Sequence, residues 1–263
     1  MTVITLTTDF GSGDHEAGVL KGVIWGITPH VMIADLSHDI APHAIIEGAF
    51  LLWRAAPYFP DGTIHVVVVD PGVGTSRRGI AARLGSQYFV GPDNGLVSML
   101  LERIERNSEC KEFVHLDQPQ YWLPEVTAVF HGRDIFAPVA AHLALGVALK
   151  SLGTPITDPT RLEIPSPIRT PHSWLGQVIH IDHFGNLATN LYGAQIEKPG
   201  EVMVNINGQK ITGLVSTFGE RPSGTLIALF DSSGSLAISV VNGSAAGLLH
   251  AGVGDTIEVL FHG

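Results

Sequence analysis

The chain has 263 residues, 45% of them hydrophobic and only 15% charged, and a formal net charge of −10 with its 13 histidines neutral. Such a composition predicts a sizeable core, disfavours nucleic acid as the main partner and is compatible with a cationic small molecule. No apolar run reaches the length of a membrane span, the start Met1 to Leu6 reads as a strand rather than a leader, and the single cysteine, Cys110, allows no intrachain disulfide and fits a reducing cytoplasm.

In chain order, the pattern predicts a strand over Val3 to Thr7, an amphipathic helix over Asp14 to Ile27 and a strand over Val31 to Asp35. A helix follows from Pro42, a residue suited to the first helical turn, to about Ala56. Thr63 to Val69 reads as a buried strand, Gly79 to Leu84 with Tyr88 to Val90 as a hairpin, and Leu96 to Arg106 as a helix. Val126 to Phe130 is expected as a strand and Asp134 to Ala148 as a helix. This alternation implies an α/β domain, 1–158, whose mostly parallel sheet is covered by helices.

Prolines 155, 159, 165, 167 and 171 then crowd together, which predicts a proline-rich linker at 159–171. Short strands follow at Gly176 to Ile181, Leu187 to Leu191, Val202 to Ile206, Lys210 to Leu214, Leu226 to Phe230, Leu236 to Val241 and Thr256 to Leu260. Asn207-Gly208 has the composition of a two-residue hairpin turn. The segment 172–263 is therefore expected to be an all-β barrel or sandwich domain.

Ligands of open α/β sheets bind beyond the carboxyl ends of the strands. Five expected strand ends carry carboxylates: Thr8 to Asp14, Asp35 to Asp39, Asp70, Gly91 to Gly95, and Phe130 to Asp134. The nucleotide signatures fail, because Gly11-Ser12-Gly13 is followed by Glu16 at the third glycine position and Gly72 to Arg77 lacks the Gly-Lys-Ser/Thr of a phosphate loop. A mixed metal site from His38, Asp39, His43, Asp70, His131 and Asp134 is conceivable, although no recognised ligand spacing occurs. Taken alone, Asp70 with Arg77 reads equally as a turn-stabilising ion pair, and Arg78 and Arg133 as structural or surface charges. By the same measure His131 is a polar residue at a helix start, and Phe184 and Phe218 are ordinary core.

Five motifs in order, "TDFGSGD" at 8–14, "DPGVGTSRR" at 70–78, "GPDNGL" at 91–96, "FHGRDIFAP" at 130–138 and "IDHFGNLATN" at 181–190, resemble the S-adenosyl-L-methionine (SAM) hydroxide adenosyltransferases, hydrolases related to fluorinase and chlorinase. The resemblance implies cleavage of SAM to adenosine and methionine by water attacking ribose C5′, with neither metal nor cofactor. It also implies a homotrimer with sites between the N-terminal domain of one subunit and the C-terminal domain of the next. Asp70, Arg77 and His131 match the catalytic set that holds the attacking water. Asp9 matches the carboxylate on the ribose hydroxyls, and Asp14 and Asp182 carboxylates near the methionine amino group. Phe184, Asn186 and Phe218 match the adenine pocket, and Ser232 the contact to the methionine carboxylate. His43, Ser233 and Val241 depart from the family pattern. Asp70 stands where the halogenases carry a tyrosine near the halide, and a carboxylate there repels an incoming anion. A metal-dependent hydrolase and a SAM- or adenosine-binding module without turnover are the alternatives.

Overall fold

The computed structural model describes residues 2–196 and 201–261. The chain forms two compact units, Met1–Leu162 and Glu163–Gly263; the expected domain limits at residues 1 and 263 lie outside the described residues.

The first unit is built on a seven-stranded sheet of β1 (Val3–Thr8), β2 (Met32–Ser37), β3 (Ile64–Val68), β4 (Gly79–Leu84), β5 (Gln87–Pro92), β6 (Lys111–Leu116) and β7 (Gly153–Ile156), in the order β2-β1-β3-β5-β4-β6-β7. The core β2-β1-β3-β5 is parallel, and β4, β6 and β7 continue it antiparallel. The valine run of β3 explains its central place. Val66 and Val68 pack on one face with α1 (Glu16–Ile27) and α4 (Ala137–Ala144), while Val67 and Val69 pack on the other near Leu52 of α2 (Ile45–Ala55) and Leu100 of α3 (Ser98–Arg106). Alternate side chains of a strand face opposite ways, so a strand buried on both faces needs an unbroken apolar run. Each fully buried valine stabilises the fold by roughly 1.5–3 kcal/mol. No helix among the described residues is long and apolar enough to cross a membrane.

Three local expectations are corrected. The helix expected from Pro42 begins at Ile45, because His43 takes a left-handed φ of 67° that no helix continues. Residues 126–130 form no strand: Val129 is 78% exposed, and Thr127 donates its N–H and hydroxyl to the Asp134 carboxylate instead of a ladder. The helix expected from Asp134 to Ala148 is a π-turn, Gly132–Phe136, running into the shorter α4. Strands β6 and β7 have no counterpart in the expected elements.

The second unit contains β8 (Ile168–Arg169), β9 (Ser173–Ile181), β10 (Leu187–Tyr192), β11 (Val202–Ile206), β12 (Gln209–Thr212), β13 (Leu226–Phe230), β14 (Ser235–Val240), α5 (Ala245–Leu249) and β15 (Thr256–Phe261). Its strands follow the antiparallel order β12-β11-β15-β9-β10-β14-β13, with β8 beside β9. Val215 N–H, just after β12, donates to Ala228 O on β13 over 2.9 Å, so the ends of the order meet and the sheet is a nearly closed barrel. Its core includes Val178, Leu187, Val204, Leu236 and Val259. Asn207 and Gly208, at φ 46° and 79°, make the expected tight turn between β11 and β12.

Candidate active site

Parallel pairing aligns the carboxyl ends of β2, β1, β3 and β5 at one edge of the sheet, where His38, Asp9, Asp70 and Asp93 follow. Strand β4 runs antiparallel to β5, with Gly79 opposite Pro92, so it starts at that edge. The Pro71-Gly72 turn therefore has to span only the edge itself to bring Arg77 back to Asp70.

Arg77 binds Asp70 bidentately, with Nε donating to Oδ1 over 2.9 Å and Nη2 donating to Oδ2. Both side chains are largely buried, at 12% and 5% exposure. Nη2 also donates to Nδ1 of His131 over 2.8 Å, and the guanidinium lies 5.4 Å from the Phe136 ring centre. A guanidinium has no acceptor, so Nδ1 of His131 carries a lone pair and the neutral ring bears its proton on Nε2. Burial, then the Arg77 charge, push the His131 pKa below its usual value, while Asp70 and Asp134 pull it back.

Two loops must meet for this contact. Gly74 has a φ of 75°, and a Cβ there would collide with the carbonyl oxygen of Ala128. Glycine thus lets the 70–78 turn close on the 122–131 loop. Just past that loop, in the Gly132–Phe136 π-turn, Asp134 is fully buried and accepts Thr127 N and Oγ1, each at 2.8 Å, and Arg133 Nε at 2.6 Å. Burial acts to raise the Asp134 pKa, but these bonds outweigh it and hold the carboxyl below its usual value. His131 sits immediately before the π-turn, a local bulge of the kind often found at functional sites.

Asp9 is half-buried and its Oδ2 accepts His43 N over 2.9 Å. Asp14 is exposed just before α1. With His15 and Glu16 it forms the group of three potential metal ligands found among the described residues; His38, Asp39, His43, Asp70, His131 and Asp134 do not converge in that way. His38 instead binds Thr8 Oγ1 at 2.9 Å and Asp35 at 3.1 Å.

In the second unit, Phe184, Asn186 and Phe218 line one cavity of about 440 Å³ together with Val240, Asn242 and Gly243. Phe184 is 74% and Phe218 44% exposed, so neither is core. Asp182 shapes this wall: Oδ1 accepts Phe184 N and Asn186 N, each at 2.9 Å, and Oδ2 accepts Asn186 Nδ2 at 2.8 Å. Gly185, at φ 81°, lets the turn lie against Ser244, and Ala246 N donates to Gly185 O over 2.9 Å. Ser232 is exposed in the turn after β13, where Asp231 binds Ser233 and Ser235. Sequence reading did not single out Asn242 and Gly243 as cavity residues; the available signal was the Asn-Gly pair after a strand, here with Asn242 at φ 54°.

A carboxylate, a guanidinium and a neutral imidazole gathered beyond the carboxyl end of the parallel strands have the make-up of an enzyme's reaction centre. The aromatic-walled cavity of the second unit suits a flat ligand. The chain belongs to the SAM hydroxide adenosyltransferase family, matching the N-terminal domain of that family over residues 4–153 and the C-terminal domain over 176–258. It is 38% identical over 258 residues to the (R)-S-adenosyl-L-methionine hydrolase of Salinispora tropica, covering 97% of each chain. A fluorinase of an Actinoplanes species is 29% identical over 75% of this chain and 74% of its own. The crystal structure of an uncharacterized conserved protein from Thermotoga maritima superimposes with a TM-score of 0.90 at 33% identity, covering 99% of this chain and all of the other.

Proposed function

We infer that this protein hydrolyses SAM to adenosine and L-methionine by in-line attack of a water-derived oxygen on ribose C5′. The observation that carries this reading is the contact of Arg77 with both Asp70 and Nδ1 of His131. Bulk water is a poor nucleophile, with a pKa of about 15.7. Arg77 donates to the oxygen through its remaining N–H groups and stabilises it as hydroxide, its proton having passed to solvent, while His131 accepts from Nη2 through Nδ1 and helps to fix the guanidinium. Asp70, bonded through both oxygens, aims the guanidinium. The C5′–O bond forms as the C5′–S bond breaks, and the electron pair leaves on sulfur as a neutral thioether. Positive charge on the substrate is lost on the way, so the site gains nothing by gripping the sulfonium and works by alignment, a contribution of roughly 7–11 kcal/mol in favourable cases.

In this reading Asp9 accepts the ribose hydroxyls, Phe184 and Phe218 stack on adenine and Asn186 meets its edge. Asp14 and Ser232, both exposed, serve the methionine end, and Asp182 contributes by holding the 182–186 turn. The relative from Salinispora tropica is named for the R sulfonium epimer, and we take the same epimer as substrate here. Residues 1–158 supply the nucleophile side, 172–263 the adenine side and 159–171 the link. A homotrimer joins the two sides across subunits, in the cytoplasm and without a metal.

The test is turnover of SAM in isotopically heavy water. Label at the adenosine 5′-oxygen is expected; unlabelled adenosine, or none, refutes the mechanism. Exhaustive chelation should leave the rate unchanged, light scattering should give three times the chain mass, and (R)-SAM should outcompete (S)-SAM.

A further inference from the structure

Arg78, next to Arg77 in the chain, faces a different set of partners. Its Nε and Nη2 bind Asp93 Oδ2 at 2.8 and 2.7 Å, its Nη2 also donates to Asp158 O at 2.8 Å, and its Nη1 to Asp158 Oδ1 at 3.0 Å. The backbone is pinned as well, because Asp93 N donates to Arg78 O over 2.9 Å. Asp93 is buried to 1% side-chain exposure, and its second oxygen accepts Thr160 N at 2.7 Å. The same segment is fastened further on: Arg161 forks onto Glu105 at 3.0 and 2.6 Å, and Leu162 N donates to Ser98 Oγ at 2.8 Å. Gly95, at φ 100°, leaves the room that Leu162 fills.

The stitching is dense for a surface segment. Exposed ion pairs contribute little singly, but an arginine that places two N–H groups on one oxygen of a buried carboxylate, and two more on Asp158, is held in one geometry. Here the fixed group is the peptide directly after Arg77, at the entry to β4. A rigid neighbour behind a reacting side chain is what holds such a group to within about 0.5 Å.

We propose that Arg78 is the positioning residue for Arg77, and that the 158–162 segment, through Asp158 and Asp93, sets the reach of Arg77 toward Asp70 and His131. The segment is the last stretch of the first unit before the chain enters the second, so the register of the Arg77 side chain depends on that exit being docked. The proposal rests on the hydrolase reading for its kinetic consequence, and on structure alone for its spectroscopic one.

The test uses Asp158→Asn, at a site 76% exposed and so safe for folding, together with Arg78→Lys, which keeps the charge but not the double fork. Both should lower kcat for SAM, by about fivefold and at least about 10-fold respectively, with KM unchanged. In ligand-free protein the His131 nitrogen resonances should shift and its titration midpoint should rise, as the Arg77 charge withdraws. Wild-type kcat in both variants, or a lower kcat with unmoved His131 resonances, overturns the proposal. Should Arg78→Lys fail to fold, Asp158→Asn decides alone. A wild-type protein inert toward SAM would remove the hydrolase reading, while the His131 comparison would still decide the role of Arg78.

Discussion

Nη2 of Arg77 stands 2.8 Å from Nδ1 of His131, and the hydrogen between them belongs to the arginine. Protonating His131 would set an N–H against an N–H, so the neutral ring is the working form. The His131 pKa is lowered from 6.5, which places the loss below that value. Turnover should be steady near neutral pH and fall as pH drops through the depressed midpoint. Nitrogen NMR should find the Nε2–H tautomer at pH 7, and His131→Ala should abolish this acid limb. An Nδ1–H tautomer would be incompatible with the arrangement.

Arg77→Lys puts a point charge where a planar fork joins two partners. It cannot hold Asp70 through two parallel bonds and also reach His131. Loss of a preorganised donor of this kind costs about 100-fold to 1000-fold in kcat. Asp70→Asn should fall in the same range because the guanidinium is then aimed by one oxygen only. SAM affinity, measured by calorimetry, should change little in either; a selective loss of binding would move both residues out of the nucleophile's surroundings.

The cavity walls give the opposite signature. Phe184→Ala and Phe218→Ala remove the two exposed aromatic faces of the 440 Å³ cavity. Stacking on a base is worth about 1–3 kcal/mol, so each should raise KM roughly 10-fold and leave kcat nearly intact. Adenosine should weaken as an inhibitor in parallel with SAM. Phe variants that keep full affinity for both would assign adenine elsewhere.

A stability prediction concerns His65, fully buried in β3. Gln87 donates through Nε2 to Ala56 O and Phe59 O, so its Oε1 faces His65 Nε2 as acceptor at 3.3 Å, and Thr5 Oγ1 donates to Nδ1 at 2.8 Å. Burial lowers the His65 pKa from 6.5 to about 4. The unfolded chain therefore binds the extra proton first as pH falls. Stability is whole above pH 6.5 and decreases by about 3 kcal/mol by pH 4. Urea midpoints across that interval should show a slope that His65→Gln flattens; an unchanged slope would assign the acid sensitivity to other groups.

Much of this was legible in residue order, for identifiable reasons. The four valines before Asp70 could only be a strand buried on both faces, and Asn207-Gly208 could only be a tight turn. The family motifs then named Asp70, Arg77 and His131 before any distance was known. What failed was local competition. Val126 to Phe130 has strand composition, yet Thr127 finds a better acceptor in Asp134, seven residues on, than in any neighbouring strand. Pro42 suits a helix start, but the His43 amide is bonded to Asp9, a partner 34 residues away. Phe184 and Phe218 look like core by residue type, yet both stand exposed, Phe184 on the turn that Asp182 caps and Phe218 on a turn of its own. Arg78 looks like surface charge because its partners, Asp93 and Asp158, are distant in sequence.

The absence of a side chain at Gly74 reaches further than the one turn it occupies. Any L-residue there meets the Ala128 carbonyl and wedges the two loops apart, parting Arg77 from His131 while both letters stay in the sequence. A homologue retaining the equivalents of Asp70, Arg77 and His131 but carrying alanine at this position would pass a motif search and, on the proposed mechanism, still be a poor hydrolase. Mutational scans of such proteins should treat this glycine as a marker of competence in its own right.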